Sequence, residues 1–228
     1  MYIENKIDEG KKIMYEKKFC EIQTGQSFYY LKYTPKANND EKMPLLIFMH
    51  GAGERGKADG SELDLVAVHG FFKDVAKHNK EFPFMMVAPQ CPKNEYWGSF
   101  IESLNRFLDQ IIYENNIDTN RIYLTGFSMG GTASWLWGVS SPWRFAAIVP
   151  VCGEGISWYA EKLSNIPILA FHGDIDDIVS PHESLSMVSS INKHGGKAKL
   201  ILISGIKHNV CDYAYNDDLV AWLMEKQL

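Results

Sequence analysis

Several things are scarce in this chain, and each scarcity excludes something. It has only four cysteines, Cys20, Cys91, Cys152 and Cys211, and no two stand at C-x-x-C spacing. That argues against a zinc ribbon or a C-x-x-C redox motif. No run reaches the about 18 consecutive apolar residues that a membrane span needs. Residues 1–18 are rich in charge and lack the apolar centre of a secretory signal, so a cytoplasmic protein with free thiols is expected. No basic block occurs: 23 Lys+Arg stand against 28 Asp+Glu, a formal charge of -5. Neither nucleic acid nor an anionic membrane is therefore an expected partner. There is no internal repeat, no low-complexity stretch and no Pro/Ser-rich linker. What is present is ordinary globular composition, 46% apolar and 22% charged over 228 residues, which excludes a disordered, collagen-like or coiled-coil chain. The length suits one domain over residues 1–228, since a core of this size still removes roughly 70–75% of the unfolded surface from water.

Patterning gives the fold class. Residues 12–22 and 27–33 alternate polar and apolar around Thr24-Gly25, the signature of an antiparallel strand pair. Residues 44–49 (PLLIFM) and 84–88 (FMMVA) are short continuous apolar runs, as buried parallel strands are. Residues 99–113 carry Phe100, Leu104, Phe107, Leu108, Ile111 and Ile112 at helical spacing. Further strands are expected at 121–125, 146–151, 167–171 and 199–203, and helices at 132–139, 181–192 and 217–226. Such alternation predicts an α/β chain with a mostly parallel sheet, helices on both faces and an antiparallel N-terminal pair. Ligands of such sheets bind at the carboxyl ends of the strands, so the loops after strands are where chemistry is expected.

The loop after residues 44–49, His50-Gly51-Ala52-Gly53-Glu54-Arg55-Gly56-Lys57-Ala58, fits three patterns. A phosphate loop needs Ser or Thr after the lysine, where Ala58 stands, and a helix opening at once, where Ala58-Asp59-Gly60-Ser61 is turn chemistry. A dinucleotide loop needs a strand ending in an acid about 20 residues on, but Asp74 lies in a helix-like segment. The third reading is H-G-x-G, an oxyanion loop, and the next motif decides for it. Strand 121–125 runs into Gly126-Phe127-Ser128-Met129-Gly130 and then a helix-like run. This is G-x-S-x-G in strand–turn–helix context, where a strained turn exposes the serine hydroxyl.

An exposed serine needs a base, and the base an orienting acid, in the chain order Ser, Asp/Glu, His. Strand 167–171 ends in His172-Gly173-Asp174-Ile175-Asp176-Asp177. Asp176 is favoured as the acid, Asp174 is second choice, and Asp177 reads as a surface acid. His208 follows the last strand in a loop; an imidazole near its ordinary pKa of about 6.5 can take the serine proton and pass it to a leaving group. Of the seven histidines, His50 and His172 precede a glycine at strand ends and are expected to hold loops by hydrogen bonds. His69, His78, His182 and His194 read as surface or helix-end residues. No H-x-x-x-H spacing occurs, so no metal site is expected.

Together HGAGERG, APQCP with the following Trp97, GFSMGG, HGDIDD and a late G-x-x-H resemble an α/β-hydrolase serine esterase over roughly residues 45–228. The nearest subgroup is similar to small, lidless feruloyl and polyhydroxybutyrate-type esterases, also described as peptidases or phospholipase/carboxylesterase-like proteins. The resemblance implies Ser128 as nucleophile, His208 as base and Asp176 as acid, with the backbone N–H groups of Ala52 and Met129 forming the oxyanion hole. Two departures stand out: Asp177 and Ser180 replace prolines common in that family, and Glu154 stands where small residues are common.

The expected activity is hydrolysis of a small ester through an acyl-enzyme, without metal or organic cofactor. Trp97, Trp158 and Gln90 are candidate substrate contacts, with Tyr96 completing an aromatic wall suited to a feruloyl-type or carbohydrate-linked ester; a short-chain acyl ester is the other expectation. Trp135, Trp137 and Trp143 read as packing or surface residues. A thioesterase, lysophospholipase or peptidase of the same fold, a non-catalytic binding module and a nucleotide-binding α/β protein are the competing readings.

Overall fold

The computed structural model describes residues 14–36 and 41–228. The first two residues of the expected strand pair, Lys12 and Ile13, and most of the charged N-terminal stretch lie outside them. Among the described residues eight strands form one sheet in the order β1-β2-β4-β3-β5-β6-β7-β8. The N-terminal pair is β1 (Tyr15–Cys20) and β2 (Phe28–Tyr33), antiparallel with Tyr15 opposite Tyr33. β2 joins β4 (Met85–Pro89) antiparallel. From β4 onward neighbours run parallel: β3 (Met43–Met49), β5 (Ile117–Phe127), β6 (Ala147–Val151), β7 (Leu169–Gly173) and β8 (Lys199–Ile203).

The apolar run in β3 has the cause inferred from the sequence. All seven of its residues are buried. Leu45, Ile47 and Met49 point into one core, and Leu46 and Phe48 into the core on the other face. The first core is covered by α2 (Ile101–Glu114), α3 (Met129–Ser140) and α4 (Pro181–Lys193). The second is covered by α1 (Gly70–His78), α5 (Cys211–Ala214) and α6 (Asp217–Met224). In α2, Leu104, Phe107, Leu108 and Ile111 are fully buried. Burying these four side chains contributes on the order of 6–12 kcal/mol before chain entropy is counted. The two edge strands are less buried: Phe19 of β1 is 52% exposed and Leu202 of β8 49%.

Strand order sets the position of the site. From β3 the chain crosses to β4 on one side, then returns to β5 on the other. Loops leaving the carboxyl ends of β3 and β5 therefore diverge and open a crevice at that switch point. The loops after β6, β7 and β8 emerge at the same rim because those strands are parallel to β5. All four cysteines are free and buried. Among the described residues no helix is long and apolar enough to cross a membrane.

Candidate active site

Ser128 forms the turn between β5 and α3. Its backbone sits at φ 56, ψ -117, a left-handed conformation that side-chain-bearing residues rarely adopt and that functional sites over-determine. Two bonds hold it: Ser128 N–H donates to Val151 O at 2.8 Å, and Thr132 N–H donates to Ser128 O at 3.0 Å. The tight turn also requires Gly130. A Cβ there would lie 1.8 Å from Met49 O and 2.8 Å from His50 O. The start of α3 thus lies backbone against backbone on the end of β3.

His208, in the loop after β8, reaches over this turn. Its Nε2 lies 2.7 Å from Ser128 Oγ and its Nδ1 2.7 Å from Asp176 Oδ2. A ring nitrogen facing a carboxylate carries the hydrogen, so Nδ1–H donates to Asp176 and Nε2 is left to accept from the serine hydroxyl. Gly173 lets this loop approach β7, since a Cβ there would be 2.2 Å from both Ile206 O and Lys207 O. Phe127 packs against the His208 ring, centroids 5.1 Å apart.

The three acids of one loop have three different fates. The Asp176 side chain is fully buried, and its Oδ1 accepts the N–H groups of Ile178 (2.9 Å) and Val179 (3.0 Å). Burial alone would raise its pKa, but the hydrogen bonds from His208, Ile178 and Val179 outweigh that and hold it below the usual carboxylate value. Asp174 instead accepts the Gly205 N–H at 2.7 Å. Asp177 pairs at the surface with Lys207 at 2.6 Å. Ser180, at the proline-type position, caps α4 by accepting the His182 N–H.

The glycine-rich loop after β3 opens a short 3-10 helix, Ala52–Glu54, and the next α-helix starts only at Gly70. The helix required by either nucleotide reading is absent there. His50 organises the loop, as expected of it. Its Nδ1–H donates to Gly51 O at 2.6 Å, and its Nε2 accepts the Cys91 N–H at 2.9 Å. Burial pushes its pKa down to about 4, so the ring stays neutral. Arg55 ties the loop from outside through Ala52 O at 2.9 Å and Glu95 O at 3.2 Å. Ala52 and Met129 each occupy a helix's first turn, where backbone N–H groups have no intrahelical acceptor.

Two expected substrate contacts are corrected. Trp97 is 1% exposed and its Nε1–H donates to His50 O at 3.0 Å; it packs under the loop and has no face to offer a ligand. Gln90 is also buried, and its Nε2 donates to Glu54 O and Glu62 O; it braces the same loop. Trp158, by contrast, is 88% exposed in the 3-10 helix Ser157–Leu163 after β6, beside the half-exposed Tyr159. Tyr96 is exposed after β4 and stacks with Arg55. Trp135 and Trp137 are core residues and Trp143 lies at the surface.

Residues with no motif also converge here. His172 Nε2 is 3.2 Å from Asp176 Oδ2, and the Cys152 thiol, its pKa pushed up to about 12 by burial, donates to Asp176. Cys152, His172 and Asp176 place three potential metal-ligand atoms within 4.8 Å of one another, and here those atoms are engaged in hydrogen bonds. Behind the glycine-rich loop, the buried Glu54 lies 3.7 Å from His69, which in turn packs on Phe127. His69 is the N-cap residue of α1, a helix-end position as expected, and its ring is turned inward to this contact.

The model of the phospholipase/carboxylesterase family matches residues 36–217. Over 91 residues the chain is 34% identical to a bifunctional acetylxylan esterase/xylanase of Neocallimastix patriciarum, a stretch that is 40% of this chain and 13% of that protein. The crystal structure of a thermostable esterase superposes with a TM-score of 0.78 at 29% identity, over 94% of this chain and 64% of that one. The esterase PE8 shares the fold at 24% identity, TM-score 0.61, over 84% and 96% of the two chains. The chain thus spans less than two thirds of the first two relatives, and with a family match over most of its length it belongs to the phospholipase/carboxylesterase family of α/β-hydrolases.

Proposed function

We propose that the protein is a serine carboxylic-ester hydrolase that works through an acyl-enzyme. The observation that carries this reading is the continuous line Ser128 Oγ–His208 Nε2 (2.7 Å) and His208 Nδ1–Asp176 Oδ2 (2.7 Å) at the carboxyl rim of the sheet. A hydroxyl bound to a neutral imidazole whose far nitrogen is fixed by a buried carboxylate is set up for acyl transfer.

Ser128 Oγ attacks the ester carbonyl while its proton passes to His208 Nε2. Asp176 keeps the Nδ1–H tautomer and stabilises the imidazolium. The carbonyl oxygen becomes an oxyanion and accepts the N–H groups of Ala52 and Met129, each such donor being worth about 10²–10³-fold in rate. As the tetrahedral intermediate collapses, His208 Nε2–H protonates the departing alkoxide. Water then enters, gives a proton to His208 and attacks the acyl carbon. The carboxylic acid leaves and Ser128 regains its hydrogen.

The rim supports a reading of the substrate class. Trp158, Tyr159 and Tyr96 are exposed rings on loops that leave the carboxyl ends of β6 and β4. Flat aromatic faces of this kind stack on sugar rings or hydroxycinnamoyl groups. A relative named as an acetylxylan esterase/xylanase points the same way. We infer a carbohydrate-linked acetyl, short-chain or feruloyl-type ester, used by a soluble, cytoplasmic enzyme. A panel of acetyl, butyryl and feruloyl esters, with thioester and peptide substrates beside them, tests this. Turnover of oxygen esters that vanishes in Ser128→Ala, with the fold retained, is expected. Turnover that survives in Ser128→Ala contradicts the mechanism, and preference for thioesters or peptides contradicts the substrate.

A further inference from the structure

We propose that His172 is a positioning residue of this site: its Nε2–H is shared between Val179 O and the carboxylate of Asp176, and so holds that carboxylate charged and aimed at His208. The inference rests on the reading of Ser128, His208 and Asp176 as the reacting set.

The contacts around the ring assign its hydrogen. Nε2 is 3.0 Å from Val179 O and 3.2 Å from Asp176 Oδ2. Both are acceptors, so a bare nitrogen there would face two lone pairs, and Nε2 must carry the hydrogen. Nδ1 is 2.8 Å from Ser184 Oγ, whose hydroxyl is free to turn and donate. A neutral imidazole satisfies every partner. The side chains of His172 and Asp176 are both fully buried, and Ser184 is buried with them, so water does not compete for these bonds. Burial also favours the neutral ring.

Two imidazoles therefore meet the same carboxylate oxygen. His172 comes from β7 and His208 from the loop after β8, while two backbone N–H groups of the turn hold the other oxygen. A carboxylate gripped on both oxygens cannot rotate away when His208 moves toward Ser128. The second imidazole N–H has an electronic effect as well. It withdraws charge from Asp176, which limits how strongly Asp176 raises the basicity of His208. The other groups facing Asp176 are the Cys152 thiol from the loop after β6 and, on its own loop, Asp174 and Asp177. Asp174 is bound to the Gly205 N–H and Asp177 to Lys207, so neither acid brings a hydrogen to this carboxylate, and the Cys152 thiol already donates to Asp176 beside the His172 N–H.

The test is the pH profile of ester hydrolysis. In His172→Leu the acid limb of kcat/KM should move up by roughly half a pH unit. There kcat should fall by at least about tenfold, with KM within about twofold, because the lost contact acts on proton transfer rather than on substrate. His172→Gln, which can place an N–H at the same reach, should restore the wild-type limb. A folded His172→Leu with an unmoved limb overturns the proposal and leaves His172 a packing residue. The tautomer can also be read in the unaltered protein by two-bond ¹H–¹⁵N correlation of labelled histidine. At neutral pH His172 should be a neutral Nε2–H tautomer; an Nδ1–H signal, or a protonated ring there, overturns it. That measurement does not depend on turnover, so it separates failure of this inference from failure of the esterase reading.

Discussion

Adding one methyl group at residue 130 should disable the site more than it damages the fold. In Gly130→Ala the new Cβ would stand 1.8 Å from Met49 O and 2.4 Å from the Met49 carbonyl carbon. Carbon and oxygen settle no closer than about 3.3 Å, so α3 and the end of β3 must separate by roughly 1.5 Å. Neither side is a flexible side chain; both are backbone. Forced overpacking of this kind costs about 3 kcal/mol, and in a domain of this size that lowers Tm by about 6–12 °C. The separation also moves Ser128 and Met129 away from the loop carrying Ala52. A misplacement of about 1 Å is enough to lose about 10²-fold in rate, so kcat/KM should fall by at least that much. Differential scanning fluorimetry and hydrolysis of a p-nitrophenyl ester measure the two effects. Gly53→Ala is the control for stability: nothing lies within 4 Å of a Cβ there, so stability should change by less than about 0.5 kcal/mol. A Gly130→Ala protein with unchanged Tm and undiminished turnover would refute the claim that this backbone contact sets the turn.

Two further outcomes follow from the same structure. Trp97→Ala should act on stability, costing about 3–5 kcal/mol as a buried tryptophan. Trp158→Ala should leave Tm within about 0.5 kcal/mol of wild type and raise KM for feruloyl or sugar esters; parallel melting and kinetic measurements distinguish the two, and a Trp158 variant with unchanged KM would remove it from the substrate surface. Stability should also fall with acid. Burial holds His50 at about 4 and lowers His172, whereas an unfolded histidine protonates near about 6.5. The unfolded chain therefore binds protons first as pH falls below about 6.5, and His50 alone removes about 2 kcal/mol of stability by pH 5. Thermal melts should lose about 4–8 °C between pH 7.5 and 5; a flat or rising Tm would contradict the neutral buried rings.

Much of this was legible in the sequence, and the unreadable parts share one cause. Strands such as β3 are continuous apolar runs because both of their faces are buried, and α2 shows its period of 3.6 because one face is. Ser128 was readable because strand, turn and helix are all local. The choice among Asp174, Asp176 and Asp177 was narrowed but not decided, because Asp174 and Asp177 are drawn away by Gly205 and Lys207, 31 and 30 residues further along. Trp97 and Gln90 were misread for the same reason. Their partners, His50 O and the carbonyls of Glu54 and Glu62, lie 47, 36 and 28 residues away on another loop. A polar or aromatic residue after a strand looks the same in sequence whether it braces a loop or lines a pocket. His172 was expected only to hold a loop; its place beside Asp176 needs the fold.

The most direct measurement is covalent capture of the serine. Incubation with a fluorophosphonate, followed by intact-mass and peptide mass spectrometry, should show one adduct, on the peptide containing Ser128. The adduct should be lost in Ser128→Ala and slowed by orders of magnitude in His208→Ala. A folded protein that stays unmodified, or one that carries the adduct on another residue, would contradict the account.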